Sequence, residues 1–319
     1  MSDILLRAEN LTKHFKLRSG KIVHAVENVS LEIRSGETLS LVGESGCGKS
    51  TLGRCLIGLI EPTSGSVFLG EDEISAMSEK QLRPYRRKMQ LIFQDPYASL
   101  DPRMTIFDII AEPLRTHKVC PDKNGLLERV LEISAAVGIP QEHLGRYPHQ
   151  FSGGQRQRIG IARAIALDPE LIVCDEPVSA LDVSVQNQIL NLLKKLQQER
   201  GLTYLFISHD LSVVRFISDR VCVMFLGCLC ELGETELVYS DPIHPYTRFL
   251  IGSIPSTDPA LRGREKMLLS GEIPSPIAPP EGCRFHTRCP YATDRCRTEK
   301  PELRQVRGRL AACHRAGEI

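Results

Sequence analysis

The chain has 319 residues, 42% hydrophobic and 25% charged, and its 40 Lys and Arg nearly cancel 39 Asp and Glu to leave a net charge of +1. That balance gives no global electrostatic case for DNA, RNA or an anionic membrane surface, and no nucleic-acid partner is expected. The longest apolar stretch, Val221–Leu226 with its continuation to Cys230, falls far short of the roughly 20 residues a spanning helix needs. The first ten residues carry Asp3 and lack the basic start and apolar core of a signal peptide, so a cytoplasmic chain is expected. In a reducing compartment its eleven cysteines are expected to be buried apolar residues or metal ligands rather than disulfides.

Apolar runs alternate with helical patterns to about residue 240, which predicts an α/β fold with a largely parallel, covered sheet. The best-marked strands are Thr38–Val42, Met89–Phe93, Leu171–Cys174 and Tyr204–Ile207. Helices are expected over Lys49–Leu59, Leu126–Val137, Gly153–Ala166 and Val185–Gln198, the last with Val185, Ile189, Leu192, Leu193 and Leu196 at helical spacing. Beyond residue 240 Asp241-Pro242, His244-Pro245, Ile273-Pro274, Ser275-Pro276 and Pro279-Pro280 mark a proline-rich connection. The expected division is 1–255 for the large domain, with a helical subdomain over about 95–165, and 256–319 for a small Cys-rich, Pro-rich module.

Between the first of these strands and its helix stands Gly43-Glu44-Ser45-Gly46-Cys47-Gly48-Lys49-Ser50-Thr51, which fits G-x-x-x-x-G-K-[ST]. Glycines let successive amides face one concavity, and the helix N-terminus adds its positive dipole end for phosphate. Lys49 is placed to reach the β- and γ-phosphates of ATP and Ser50 to ligate Mg²⁺. A chance glycine-rich turn would match on the order of once in a hundred chains of this length, before the flanking strand and helix are required.

The strand Leu171–Cys174 ends in Asp175-Glu176. Successive strand positions face opposite ways, so Asp175 can serve Mg²⁺ while Glu176 polarises the attacking water. Alone, such a pair would more often be a solvated strand end. Its company decides the matter: Phe151-Ser152-Gly153-Gly154-Gln155 precedes it by about twenty residues, Ser179-Ala180-Leu181-Asp182 follows at once, and Ser208-His209-Asp210 follows the strand Tyr204–Ile207.

Over roughly residues 4–240 this set resembles the ABC transporter ATPases, which implies a P-loop NTPase core with an α-helical subdomain. The resemblance implies that Gln94 senses Mg²⁺ and the γ-phosphate, that His209 contacts the γ-phosphate, and that the aromatic Phe15 stacks on adenine. It also implies that Ser152, Gly153, Gly154, Gln155 and Asp182 act in trans, on nucleotide held by a second ATPase subunit. Phe151 stands where the family usually has leucine, and an apolar side chain is kept.

Longer stretches look like the ATPase subunits of oligopeptide and dipeptide importers: Gln94-Asp95-Pro96-Tyr97-Ala98-Ser99-Leu100-Asp101-Pro102-Arg103-Met104, Arg146-Tyr147-Pro148-His149, His244-Pro245-Tyr246-Thr247, and Gly271-Glu272-Ile273-Pro274-Ser275-Pro276. Their polar, turn-forming character suits docking surfaces better than core. The likeness implies two permease subunits as partners, one coupling helix near Gln94–Phe107, an extracytoplasmic substrate-binding protein, and a place on the cytoplasmic face of the inner membrane. Dipeptide, oligopeptide, nickel or metallophore, and glutathione-like cargo all fit. DNA-repair and ribosome-acting relatives would need a long insertion after Gln94 or a second phosphate loop, and the sequence has neither.

Cys283, Cys289, Cys296 and Cys313 crowd into the last 37 residues. Their spacing lacks the tight C-x2-C clips of zinc ribbons and ferredoxins and does not choose a metal by itself. Importer ATPases with a tail of this arrangement carry a 4Fe-4S cluster, so the resemblance implies one here, with zinc as the alternative and His286 and His314 as fallback ligands.

Overall fold

The computed structural model describes residues 3–95, 97–254 and 272–319. Pro96, Gly271 and the expected boundary between 255 and 256 lie outside the described residues. In chain order the elements begin with β1 (Ile4–Lys16), β2 (Ile22–Arg34), β3 (Thr38–Val42), α1 (Lys49–Leu56), β4 (Ser64–Leu69), β5 (Asp72–Glu73), α2 (Glu79–Lys88) and β6 (Met89–Ile92). Then come α3 (Ile106–Thr116), α4 (Lys123–Ala136), α5 (Gly153–Ile165), β7 (Leu171–Asp175), α6 (Val183–Arg200), β8 (Thr203–Ser208), α7 (Leu211–Ile217), β9 (Arg220–Phe225) and β10 (Cys228–Glu234). The chain closes with α8 (Thr235–Ser240), α9 (Pro245–Gly252), α10 (Asp294–Thr298), β11 (Arg304–Val306) and β12 (Arg309–Ala311).

The contacts divide the chain into two compact units. One comprises residues 77–207 with Asp3 and Arg34–Glu37; the other comprises Ile4–Ile33, Thr38–Ala76 and the described residues from Ser208 on. In the first, β6, β7 and β8 are parallel, with Met89 opposite Leu171 and Leu171 opposite Thr203. Leu171, Ile172, Val173 and Cys174 are all essentially buried, the continuous apolar run of a strand covered on both faces. Helices α3, α4 and α5 pack on one another. Arg129 and Arg200 share Glu132 and Asp168 in one ion-pair network, which ties α4 to the end of α6.

The second unit departs from the expected parallel sheet. One sheet runs β2-β1-β4-β5, with β1–β4 and β4–β5 antiparallel, and a second runs β11-β12-β10-β9-β3, in which β3–β9 is the parallel pair. Two tight turns cause the reversal. Leu226 (φ 43°) and Gly227 (φ 81°) join β9 to β10, and Arg307 (φ 47°) and Gly308 (φ 79°) join β11 to β12. Left-handed backbone at both central residues is what a two-residue hairpin in a right-twisted sheet requires.

The residues after 272 join this unit through its core. Phe285 packs its ring against Phe225 and Tyr246, with both centroids 5.3 Å away. Arg309 of β12 pairs with the fully buried Glu231 of β10 at 2.9 Å, and the same carboxylate accepts the backbone N–H groups of Ile243 and His244. With its acceptor capacity filled in this way, a buried carboxylate is tolerated, whereas removing Arg309 would strand it.

Candidate functional site

The phosphate loop in the second unit is shaped by two glycines that nothing larger can replace. At Gly43 (φ +153°) a Cβ would lie 2.1 Å from the Met224 carbonyl oxygen, and at Gly48 (φ +104°) 2.0 Å from that of Ala25. Gly48 caps α1 without a side chain, so the first amides of that helix face the loop, the arrangement that binds anions. Lys49 is buried, and its Nζ donates to the carbonyl oxygens of Gly43 (2.8 Å) and Glu44 (2.9 Å). Ser50 and Thr51 follow on the first turn, half-buried, while Ser45 and Gly46 are exposed. Cys47 is buried, and burial pushes its thiol up. Phe15 is not core: its ring is 37% exposed, with Lys13 Nζ 5.0 Å from the centroid. His209 is exposed, immediately before Asp210, whose carboxylate caps α7 by accepting from the Ser212 N–H at 2.8 Å.

In the first unit Asp175 ends β7 almost fully buried, and Glu176 follows in the left-handed region at φ 47°. A non-glycine residue held there is strained and is commonly found at functional sites. Gln94 Nε2 donates to Glu176 Oε2 at 2.9 Å, so these two expected residues meet. Ser152 and Gln155 form a reciprocal capping box on α5: Gln155 Oε1 accepts the Ser152 N–H (2.9 Å) and Ser152 Oγ accepts the Gln155 N–H. A Cβ on Gly154 would lie 2.2 Å from Val185 Cγ1, and one on Gly153 3.3 Å from Leu181, so both glycines are fixed by packing against the segment that carries Asp182. Asp182 caps α6 by accepting from Ser184 and Val185 N–H; these bonds, that of Val185 foremost, hold its carboxyl below the usual range.

The four C-terminal cysteines line one small cavity beside Phe285 and Tyr291. Burial pushes the Cys283 thiol up to about 12 and likewise raises those of Cys289 and Cys313. Thr293 Oγ1 lies 3.4 Å from Cys296 Sγ. Among the described residues, however, no three cysteine sulfurs gather within 4.8 Å of one another; the trio that does is His14, His24 and Glu27. A tetrahedral zinc with Zn–S of about 2.3 Å would need sulfurs about 3.8 Å apart.

One expectation needs correction. The stretch His244-Pro245-Tyr246-Thr247 is core rather than docking surface: His244, Tyr246 and Thr247 are 2% exposed or less, because Tyr246 packs on Phe225 and its hydroxyl is spent on the Glu44 N–H. Tyr97, by contrast, is 62% exposed. Sequence reasoning also missed Arg288, whose Nη1 donates to both carboxylate oxygens of Glu44 at 3.1 and 3.0 Å, and Arg284, which pairs with Glu27 at 2.8 Å. These partners lie more than 240 residues apart, and no local signal announces them.

A glycine loop between a buried parallel strand and a helix, with its lysine turned onto the loop, and a second buried strand ending Asp-Glu define a P-loop nucleoside triphosphatase. The family described as ABC transporter matches residues 26–179, and the one described as oligopeptide/dipeptide transporter, C-terminal region, matches residues 230–296. YkfD of Bacillus subtilis is 54% identical over 97% of this chain and 95% of its own length. The oligopeptide transport ATP-binding protein AppF of the same organism is 51% identical over 98% and 97%. Among solved structures, the ATP-binding cassette MJ0796 in a dimeric post-hydrolysis state with ADP and Pi superposes with a TM-score of 0.66 at 32% identity, over 72% of this chain and 98% of that one. CbiO1 of Clostridium perfringens, part of an ABC transporter complex, gives 0.66 at 27% identity over 75% and 92%. The chain belongs to the ABC transporter ATPases, in the branch with the oligopeptide/dipeptide-transporter C-terminal region. Among the described residues no helix is long and apolar enough to cross a membrane.

Proposed function

We propose that the chain is the ATP-hydrolysing subunit of a peptide importer, driving a permease that it contacts from the cytoplasmic face of the membrane. The observation that carries this reading is the pairing of an ABC cassette with the oligopeptide/dipeptide-transporter C-terminal region in one chain. Oligopeptide and dipeptide cargo is preferred to nickel, metallophore or glutathione-like cargo because AppF, an oligopeptide transport protein by name, aligns along nearly all of both chains.

In this reading the loop amides and Lys49 bind the ATP phosphates, and Phe15 offers its exposed ring to adenine. Lys49 keeps its bonds to the Gly43 and Glu44 carbonyls and turns its third N–H from Cys47 Sγ to a phosphate oxygen. Glu176 polarises the attacking water as general base, held by Gln94, and His209 contacts the γ-phosphate. Ser50, Asp175 and Gln94 are the Mg²⁺ ligands; all three offer oxygen, the donor set this hard cation takes. When bound, Mg²⁺ neutralises charge on the β- and γ-phosphates. Ser152, Gly153, Gly154, Gln155 and Asp182 serve the nucleotide of a second ATPase subunit, a similar but different chain, so closure of the pair reorients two permease subunits that receive peptide from an extracytoplasmic binding protein.

Cys283, Cys289, Cys296 and Cys313 are read as ligands of a 4Fe-4S cluster. All four thiols line one small cavity, and four cysteine thiolates are the donor set such a cluster takes. Bound there, the cluster would cross-link the C-terminal segment.

Purification of the chain from membranes with its bound permease, followed by reconstitution into vesicles, tests the importer reading. ATP-dependent accumulation of labelled short peptides is expected when the binding protein is added. Accumulation of nickel chelates or glutathione in place of peptides would overturn the cargo assignment.

A further inference from the structure

Every polar group of Glu44, the second residue of the phosphate loop, is committed. Its N–H donates to the Tyr246 hydroxyl (2.9 Å), its carbonyl oxygen accepts from Lys49 Nζ (2.9 Å), and its carboxylate accepts from Arg288 Nη1 (3.1 and 3.0 Å). Two of those three partners belong to the cysteine segment or rest on it. Arg288 is bonded directly to Cys289, and Tyr246 packs on Phe285, two residues from Cys283. The Arg288 side chain is 8% exposed and that of Glu44 21%. The Nε of Arg288 is buried with no partner among the described residues, so this guanidinium depends on Glu44 for its compensation.

We propose that Arg288 is a positioning residue for the nucleotide site. By holding Glu44 it sets the backbone carbonyl on which Lys49 rests, and so links nucleotide affinity to the arrangement of the four-cysteine segment. This rests on the reading of the Lys49 loop as the ATP site. The physical path is short and continuous: Cys289 to Arg288, Arg288 to the Glu44 carboxylate, the Glu44 carbonyl to Lys49. A shift of the Cys283–Cys289 segment pulls on the phosphate loop from its carboxylate and, through Phe285 and Tyr246, from its amide. Linkage is reciprocal, so nucleotide at the loop alters the exposure of the cysteine segment.

The test measures binding of a fluorescent ATP analogue to the full-length chain. Wild type binds and Lys49→Ala does not; failure of wild type to bind would refute the ATP-site reading itself, separately from the role of Arg288. Arg288→Ala weakens binding about tenfold, within the usual range of site-to-site coupling, and Arg288→Lys restores part of the loss by returning the charge. Glu44→Gln, which changes the loop end of the pair and leaves the cysteine segment's sequence intact, weakens binding similarly, and the double variant is no worse than either single one. In wild type the nucleotide changes the hydrogen-exchange rate of the backbone amides over Cys283–Cys289, and in Glu44→Gln it does not. Wild-type affinity in Arg288→Ala, losses that multiply in the double variant, or an exchange response kept in Glu44→Gln would each overturn the proposal.

Discussion

Gln94 Nε2 stands 2.9 Å from Glu176 Oε2, joining the loop after β6 to the residue that leaves β7 in a left-handed conformation. The hydrogen bond fixes one oxygen of the proposed base while the strained backbone fixes its Cα. A base aimed from both ends is pre-organised for the water it must polarise.

Gln94→Ala removes that restraint. Turnover is expected to fall on the order of 10- to 100-fold, the scale of a misplaced catalytic group, with a smaller change in ATP affinity. Steady-state hydrolysis beside equilibrium binding of ATP checks it.

Gly154→Ala forces a methyl group to 2.2 Å from Val185 Cγ1. Overpacking of this kind costs about 1–3 kcal/mol, so the melting temperature falls and the start of α6, with Asp182, is displaced. Hydrolysis by the paired ATPases is lost while the phosphate loop still binds ATP. Adding Val185→Ala reopens the space, and recovery of both stability and activity in the double variant is the expected result.

Replacing any one of Cys283, Cys289, Cys296 and Cys313 by alanine is expected to remove iron and acid-labile sulfide from anaerobically purified protein, whereas His286→Ala and His314→Ala keep both. Iron and sulfide analysis with the visible absorption spectrum measures this. Zinc bound in place of iron would reassign the metal.

Burial tends to raise the Glu27 carboxyl, but hydrogen bonds from His24 and His14 and the charges of Arg284 and Lys300 outweigh it and hold it at about 2, against an ordinary 4.5. A carboxyl lower in the folded than in the unfolded chain contributes stability that is complete above about 4.5 and is lost as pH falls toward about 2. Glu27→Gln is expected to be less stable than wild type at neutral pH, with the two melting curves converging across that window. Parallel curves down to pH 2 would contradict the assignment.

The sequence was most legible where a single element carries its own reason. Thr38–Val42 was expected and found because Leu39, Leu41 and Val42, with only the small polar Thr38 and Ser40 between them, run into a glycine loop. Val183–Arg200 extends the expected helix at both ends, with Asp182 and Gly201 as its caps. The hairpins were hidden because Leu226 and Arg307 take left-handed positions that usually advertise themselves as asparagine or glycine. The long strands β1 and β2 escaped because Asn10 and Asn28, both at positive φ, interrupt their alternation. Arg288 and Tyr246 were invisible as partners of Glu44, since only the folded core brings the C-terminal segment to the loop.

The role of Glu176 as the base in ATP hydrolysis is tested most directly by comparing ATP binding and hydrolysis in wild type and Glu176→Gln. The amide keeps the shape and loses the basicity, so binding should persist, turnover should drop by about 10²–10⁴-fold, and the paired ATPases should accumulate in the closed, ATP-bound form. Hydrolysis at the wild-type rate in Glu176→Gln would contradict the account.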